Sequence, residues 1–218
     1  MNLPELRPYI EAARRMSIAE QIMRQLVRPA AMTGEIRPTD MAAVIAPNKH
    51  GERSVFPMLW VFYGGNLYKP LVNCRVETAR VKPLWSDSWK QHRCVIPASF
   101  YYEWQHYTDS KGKVRTGNKY AIQPRGSEVT YLAGLYRIEK MRDLKYPVFA
   151  VLTRAPTDEL RKIHDRIPLI PPEIAIDEWT RPDRQPNKVV DRALTELVIE
   201  KAELLPGTPE ISDSVQMH

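Results

Sequence analysis

From position 41 to position 156 the chain is a succession of short runs rich in β-branched and aromatic residues, cut apart by glycine, proline, asparagine and aspartate. Runs of that length, bounded by turn residues, build strands rather than helices. "MAAVIAP" (41–47) reads as a buried strand, "NKHGER" (48–53) as a turn, and "SVFPMLWVFYGG" (54–65) as the returning arm of a hairpin ended by Gly64–Gly65. "PLVNCRVET" (70–78), "RCVIPASFYYEWQHY" (93–107), "YAIQP" (120–124), "EVTYLAGLYRI" (128–138) and "YPVFAVLTRAP" (146–156) read as further strands, with a polar turn at "DSKGKVRTGNK" (109–119). About six or seven strands without regular strand–helix alternation argue against a doubly wound parallel sheet. The expected class is α+β: one domain, 1–218, with a curved, mainly antiparallel, barrel-like sheet flanked by short helices.

Helices are expected at both ends. Leu6, Ile10, Ala13, Ile22 and Leu26 fall at helical spacing, interrupted by Pro8, so residues 5–26 hold one helix or two short ones, with a cap near Ser17. Thr157 is placed to cap "DELRKIH" (158–164), and Pro171–Pro172 to precede a helix in "EIAIDEWTR" (173–181). "DRALTELVIEKAELL" (191–205) also shows the helical period, and residues 206–218 read as a loose tail. The core motifs lie within 36–180, with a C-terminal helix and tail over 181–218.

Hydrophobic residues make up 43% and charged residues 27% of the 218, which excludes a disordered or fibrous chain. No apolar run approaches the roughly 18 residues a membrane helix needs. The N-terminus lacks the basic-then-apolar order of a secretory signal, so a cytoplasmic protein is expected, nucleoid-associated when on DNA. Thirty-two basic against 26 acidic residues give +6, compatible with a polyanionic partner. Cys74 and Cys94 read as reduced thiols. Cys94 lies near His92, but two such residues do not make a four-ligand zinc site. No metal and no cofactor are expected.

Four segments carry candidate chemistry. In "NCRVETA" (73–79), Asn73, Arg75 and Glu77 alternate, so an extended backbone puts all three on one face, either solvated or lining a site. In "FYYEW" (100–104), Glu103 sits among four aromatics. It is either desolvated, with a raised pKa suited to proton transfer, or a surface carboxylate between inward-facing rings. His164 ends the segment after the strand that carries Thr153, where a helix C-terminus and Asp165 favour imidazolium and burial favours the neutral ring, with Arg166 also close by. "RVKPLWSDSWKQHR" (80–93) interleaves Trp85 and Trp89 with Arg80, Lys82, Lys90 and Arg93. It is either a base-stacking, phosphate-neutralising surface or a helix with its tryptophans in the core; one tryptophan is expected inward. The P-loop, Gly-x-Ser-x-Gly, His-Glu-x-x-His and dinucleotide-binding patterns are absent.

"NCRVETA", "RCVIPASFYYEW" and "TRAPTDELRKIHDRIPLI", in this order and spacing, resemble the SOS response-associated peptidase (SRAP) family, the abasic-site processing proteins. The resemblance covers roughly residues 36–180. It implies a β-rich domain that binds single-stranded DNA and captures abasic sites. The capture is covalent: a cysteine exposed by removal of the initiator methionine closes a thiazolidine with the sugar aldehyde. By the same resemblance Asn73, Glu103 and His164 are catalytic. Asn73 holds the N-terminal residue, Glu103 handles protons in imine formation, and His164 helps open the sugar ring. Arg75 and Arg166 contact phosphates, with Thr153 and Trp104 on the DNA-facing surface; Arg80 and Trp85 join this surface from the interleaved segment.

The chain departs from the family pattern at its start: it begins "MNLPELRPY" where the family has Met-Cys-Gly-Arg, and no cysteine precedes Cys74. "DMAAV" (40–44) replaces an Asn-x-Ala-Pro segment, with Ala43 near the place of its proline. A missing upstream segment or a natural loss of the nucleophile accounts for this. In either case the polypeptide as written is expected to form no stable thiazolidine, and any peptidase- or lyase-like self-processing is impaired. The expected partner is single-stranded DNA, especially with abasic sites, bound by a monomer that does not engage membranes. A non-catalytic single-strand-binding module is the alternative, and a general protease is the least supported, for want of a cysteine–histidine constellation.

Overall fold

A computed structural model describes residues 4–25, 32–64 and 70–202, the side chain of Met141 excepted. Leu26, Gly65, the end of the expected C-terminal helix and the tail lie outside the described residues. The chain enters through a 3-10 turn, Pro4–Leu6, and two short helices, α1 (Arg7–Arg14) and α2 (Ser17–Gln25). Pro8 sits in the first turn of α1, where a missing N–H forfeits no bond, so it starts that helix rather than interrupting it. Ala13, Ala19 and Ile22 are the buried residues of the pair.

The sheet begins with the expected hairpin, β1 (Met41–Pro47) against β2 (Arg53–Trp60), in register from Met41↔Leu59 to Pro47↔Arg53. Its turn is set by Asn48, whose side-chain oxygen accepts from the backbone N–H of His50 (2.8 Å) and Glu52 (3.1 Å). Next come β3 (Asn73–Arg75), the single-turn helix α3 (Val76–Ala79) and α4 (Pro83–Gln91). Three strands follow in the same sheet: β4 (Arg93–Ala98), then β7 (Thr130–Met141) and β8 (Leu144–Arg154). Strands β2-β1-β4-β7-β8 run antiparallel, and the ring closes where β2 pairs parallel with β8 through Leu59↔Val148 and Trp60↔Phe149. Closure removes the open edges of this five-strand barrel. β3 extends it, parallel to β8, with Asn73↔Val151 and Arg75↔Thr153.

A second, three-stranded sheet has the order β10-β6-β5, where β5 is Tyr101–Thr108, β6 Val114–Pro124 and β10 Leu197–Lys201. The run 93–107 is therefore two strands in two sheets, broken at Ser99–Phe100, where the Thr130 hydroxyl donates to the Ser99 carbonyl (3.1 Å). The polar turn is shorter than expected. Asp109 accepts from the N–H of Lys111 and Lys113 (2.9 Å each) and closes the loop at once, so β6 starts at Val114.

The expected helix over 191–205 is absent from the described part of that span. A short helix, α6 (Pro186–Asp191), precedes it, and residues 197–201 form β10 on the open edge of β6. "LVIEK" satisfies a strand as well as a helix, and the unpaired edge decides between them. Similarly, "DELRKIH" supplies only a 3-10 turn, Leu160–Lys162, with no side-chain cap. Leu160 and Ile163 are both buried, and the three-residue turn puts them on one side before the chain returns as β9 (Ile167–Pro168) beside β8. Helix α5 (Ile176–Thr180) forms as expected, after a 3-10 turn, Glu173–Ala175.

β1 is buried on both faces. Met41, Ala43 and Ile45 join the cluster holding Trp85, Trp89, Trp179 and the N-terminal helices, whereas Ala42, Val44 and Ala46 join the cluster shared with the small sheet. Two-sided burial explains why this strand reads as an unbroken apolar run. Gly134 keeps the barrel wall thin: a Cβ there would stand 2.8 Å from Ile96 Cδ1 and 3.0 Å from the Ala150 carbonyl oxygen.

Candidate functional site

The small sheet and the barrel meet at the turn 160–166. β5 is an edge strand, and its free edge receives this turn: the His106 N–H donates to the Ile163 carbonyl (2.9 Å) and the Gln105 side-chain Nε2 to the Lys162 carbonyl (3.4 Å). Leu160, Ile163 and Ile167 anchor the turn in the cluster that also contains Tyr101 and Ile122. The docking brings His164 Nε2 to 4.0 Å from Glu103 Oε1, across 61 positions of sequence (164 − 103). His106 joins from the same strand, its ring centroid 5.2 Å from that of His164.

Burial raises the pKa of Glu103, with His164 opposing and Asp165 adding to the shift. Of the two readings of "FYYEW", the desolvated carboxylate is the one observed. The His106 pKa is lowered, first by desolvation and then by His164. On the other side of the imidazole, His164 Nδ1 lies 3.1 Å from the Arg166 N–H nitrogen and 3.0 Å from the Arg166 carbonyl oxygen, with Asp165 Oδ1 at 3.3 Å.

Asn73 and Arg75 are exposed on one face of β3, and Cys74 points the opposite way into the core, as alternation predicts. Among the described residues the Asn73 amide makes no hydrogen bond, and none joins it to Glu103 or His164. Glu77 does not share that face. The backbone turns helical at Val76, which rotates Glu77 toward Arg166, where the two form a bidentate ion pair at 2.9 and 2.8 Å. That pairing holds the Glu77 carboxyl below its ordinary pKa. Arg166 Nη2 also donates to the Thr153 carbonyl (2.6 Å).

Several expected DNA contacts are placed otherwise. Trp85 is buried at 5% exposure, its ring 4.4 Å from that of Phe62, and Trp89 is buried against Trp179, so both tryptophans face inward, not one. α4 places both on the face that packs on the core, so neither can stack a base. Thr153 is 7% exposed on β8, and its hydroxyl donates to the Cys74 carbonyl (3.5 Å) rather than outward. Arg166 is committed to Glu77. Arg75 and Arg80 are exposed and, among the described residues, form no ion pair. Trp104 is half-buried, with Lys119 5.8 Å from its ring centroid and 3.7 Å from that of Tyr102. The sequence alone does not single out Lys119, Tyr102, His106 or the Glu77–Arg166 pairing. Alternation along β5 flags Tyr102 beside Trp104, whereas the Lys119 contact needs the β5–β6 register, Trp104↔Lys119.

Neither cysteine is a reactive thiol. Burial pushes Cys74 up to about 12 and raises Cys94 as well, and the two are 1% and 0% exposed.

The fold and site define a class: an α+β protein built on a closed five-strand barrel and a second small sheet, with a half-buried carboxylate beside an imidazole where the two meet. Solved structures share the fold. A protein from Bacteroides thetaiotaomicron superposes with a TM-score of 0.68 at 15% identity, over 93% of this chain and 90% of that one. A phage-related protein from Bordetella bronchiseptica gives 0.63 at 18% identity, over 87% and 92%. The chain belongs to the SOS response associated peptidase (SRAP) family, whose model matches residues 9–214. It is similar to a Bacillus subtilis protein named abasic site processing protein YoaM, 34% identical over 115 residues, 51% of this chain and 48% of that one. Escherichia coli abasic site processing protein YedK is 29% identical over 126 residues, 57% and 54% of the two chains. The matches thus span about half the length of these relatives. Among the described residues no helix is long and apolar enough to cross a membrane.

Proposed function

We propose that this protein processes abasic sites in single-stranded DNA, with Glu103 and His164 as the proton-handling pair. The observation that carries the reading is the pairing itself: a desolvated carboxylate 4.0 Å from an imidazole on a turn docked at a sheet edge. An abasic nucleotide is mostly a closed hemiacetal, and it reacts only after opening to the aldehyde. A protonated His164 gives its proton to the ring oxygen as the C1′–O4′ bond breaks. The C1′ hydroxyl loses its proton to Glu103 as the carbonyl forms, so atoms and charge balance. Exposed Arg75 and Arg80 neutralise flanking phosphates, and the Tyr102–Trp104 edge with Lys119 offers rings to neighbouring bases.

The test compares binding of a labelled single strand carrying one abasic residue with its intact counterpart. Tighter binding of the abasic strand, lost in His164→Ala, is expected; equal binding of both strands by the parent protein overturns the reading. The burial of both thiols favours a second reading, a single-strand-binding module without covalent chemistry. Under that reading, binding is salt-sensitive and indifferent to His164→Ala.

A further inference from the structure

We propose that Glu77 is a positioning residue for His164, acting through Arg166. The inference rests on the reading of His164 as the reactive imidazole.

The Nδ1 side of His164 is held by the backbone of Arg166, with the Asp165 carboxylate next at 3.3 Å. Nδ1 faces both the N–H and the C=O of Arg166, at 3.1 and 3.0 Å. When Nδ1 accepts from the N–H, the ring proton sits on Nε2, toward Glu103. When Nδ1 donates to the carbonyl, Nε2 is either a free acceptor or, in the cation, a second donor. A small displacement of the residue 166 backbone therefore changes which nitrogen carries the proton.

The side chain of Arg166 prevents that displacement. Its guanidinium spans to α3 through the bidentate pair with Glu77, and to β8 through the Thr153 carbonyl (2.6 Å). Residue 166 is thus clamped between the strand pair β3–β8 and the helical turn that follows Asn73. Arg166 is the less exposed partner, 18% against 50% for Glu77. The planar fork matches the carboxylate in two bonds, which fixes direction as well as distance. Glu77 touches neither Glu103 nor His164, so its effect on either must pass through Arg166.

The measurement is the 15N chemical shift of the two His164 ring nitrogens in labelled protein, assigned with a His164→Gln variant, in the parent, Glu77→Gln and Arg166→Lys. Glu77→Gln keeps the shape of the side chain and can retain one bond to Arg166; Arg166→Lys removes the fork and the Thr153 contact together. Both are expected to move the nitrogen shifts toward a tautomer mixture, Arg166→Lys further, while the far-ultraviolet spectrum stays native. Discrimination between abasic and intact strands should fall about fivefold to tenfold in Glu77→Gln, the scale of one weakened charge-assisted pair, with intact-strand affinity retained. Unchanged His164 shifts in both folded variants would overturn the inference. The nuclear resonance readout needs no DNA. A parent without abasic preference but with Glu77-sensitive shifts therefore refutes the function and leaves the positioning role standing, and the reverse pattern does the opposite.

Discussion

Arg93 provides the most stringent test of how this fold is held together. Its side chain is 1% exposed, and its guanidinium donates to five carbonyls, those of Trp89, Lys90, Trp179, Arg181 and Arg184. These are the last carbonyls of α4, the end of α5 and the loop after it, groups that a helix leaves without internal partners. No carboxylate lies within ion-pair distance among the described residues, and burial lowers the Arg93 pKa to about 10, still charged at neutral pH. Arg93→Met fills most of the volume but removes the guanidinium donor from all five oxygens, of which the Arg181 carbonyl keeps the Arg184 N–H (3.2 Å). A bond to a charged donor nets about 1.5–3 kcal/mol, and five sharing one group are far from additive. We expect a loss of about 3–5 kcal/mol, above the roughly 1–3 of a single buried acceptor left unpaired because several lose their donor together. With a urea dependence of about 2 kcal/mol per molar, the unfolding midpoint should fall by roughly 1.5–2.5 M. Arg93→Lys separates charge from geometry: it keeps the cation but cannot reach five acceptors, so it should recover less than half of the loss. A midpoint shift under about 0.5 M in Arg93→Met, or full recovery in Arg93→Lys, would refute the clamp.

Three further outcomes follow from burial. Glu103→Gln should be more stable than the parent at neutral pH and equal to it in acid. The raised carboxyl pKa means that its contribution is fully present below the ordinary carboxylate range and is lost as pH rises through the folded value; thermal melts across that window check the sign, and the same variant should lose abasic preference. Both thiols should resist alkylation in the native state and react after denaturation, because Cys74 and Cys94 are buried with raised pKa values; native labelling followed by mass spectrometry decides. Trp85→Leu should destabilise the protein by about 1–3 kcal/mol through the cavity beside Phe62, yet leave single-strand affinity unchanged; a selective loss of affinity in the folded variant would restore Trp85 to the DNA surface.

The local order of this chain was legible in its residues. Turn chemistry placed the β1–β2 hairpin, since Asn48 carries its own bond pattern wherever it sits. Period-two alternation put Cys74 inward and Asn73 outward on β3. The aromatic setting of Glu103 raised desolvation as one of two readings, and the direction of its pKa shift favours that one. Each of these depends on neighbours a few positions away.

Whatever depends on a distant partner was decided by the tertiary structure. Residues 191–201 carry a helical period, but the vacant edge of β6 draws 197–201 into a strand, because backbone groups on an edge gain partners there. Trp85 and Trp89 are amphipathic in isolation, and only the packing of α4 on the core turned both inward. Glu77 and Arg166 lie 89 positions apart, and nothing in either segment alone pairs the two. Their pairing exists because β3 aligns with β8 and the chain bends at Val76. The amino-acid sequence therefore set which groups were available and how each strand and turn would form. Long-range docking of the barrel, the small sheet and the 160–166 turn set which of those groups meet, because charge and hydrogen-bond geometry act only over the few ångströms that folding closes.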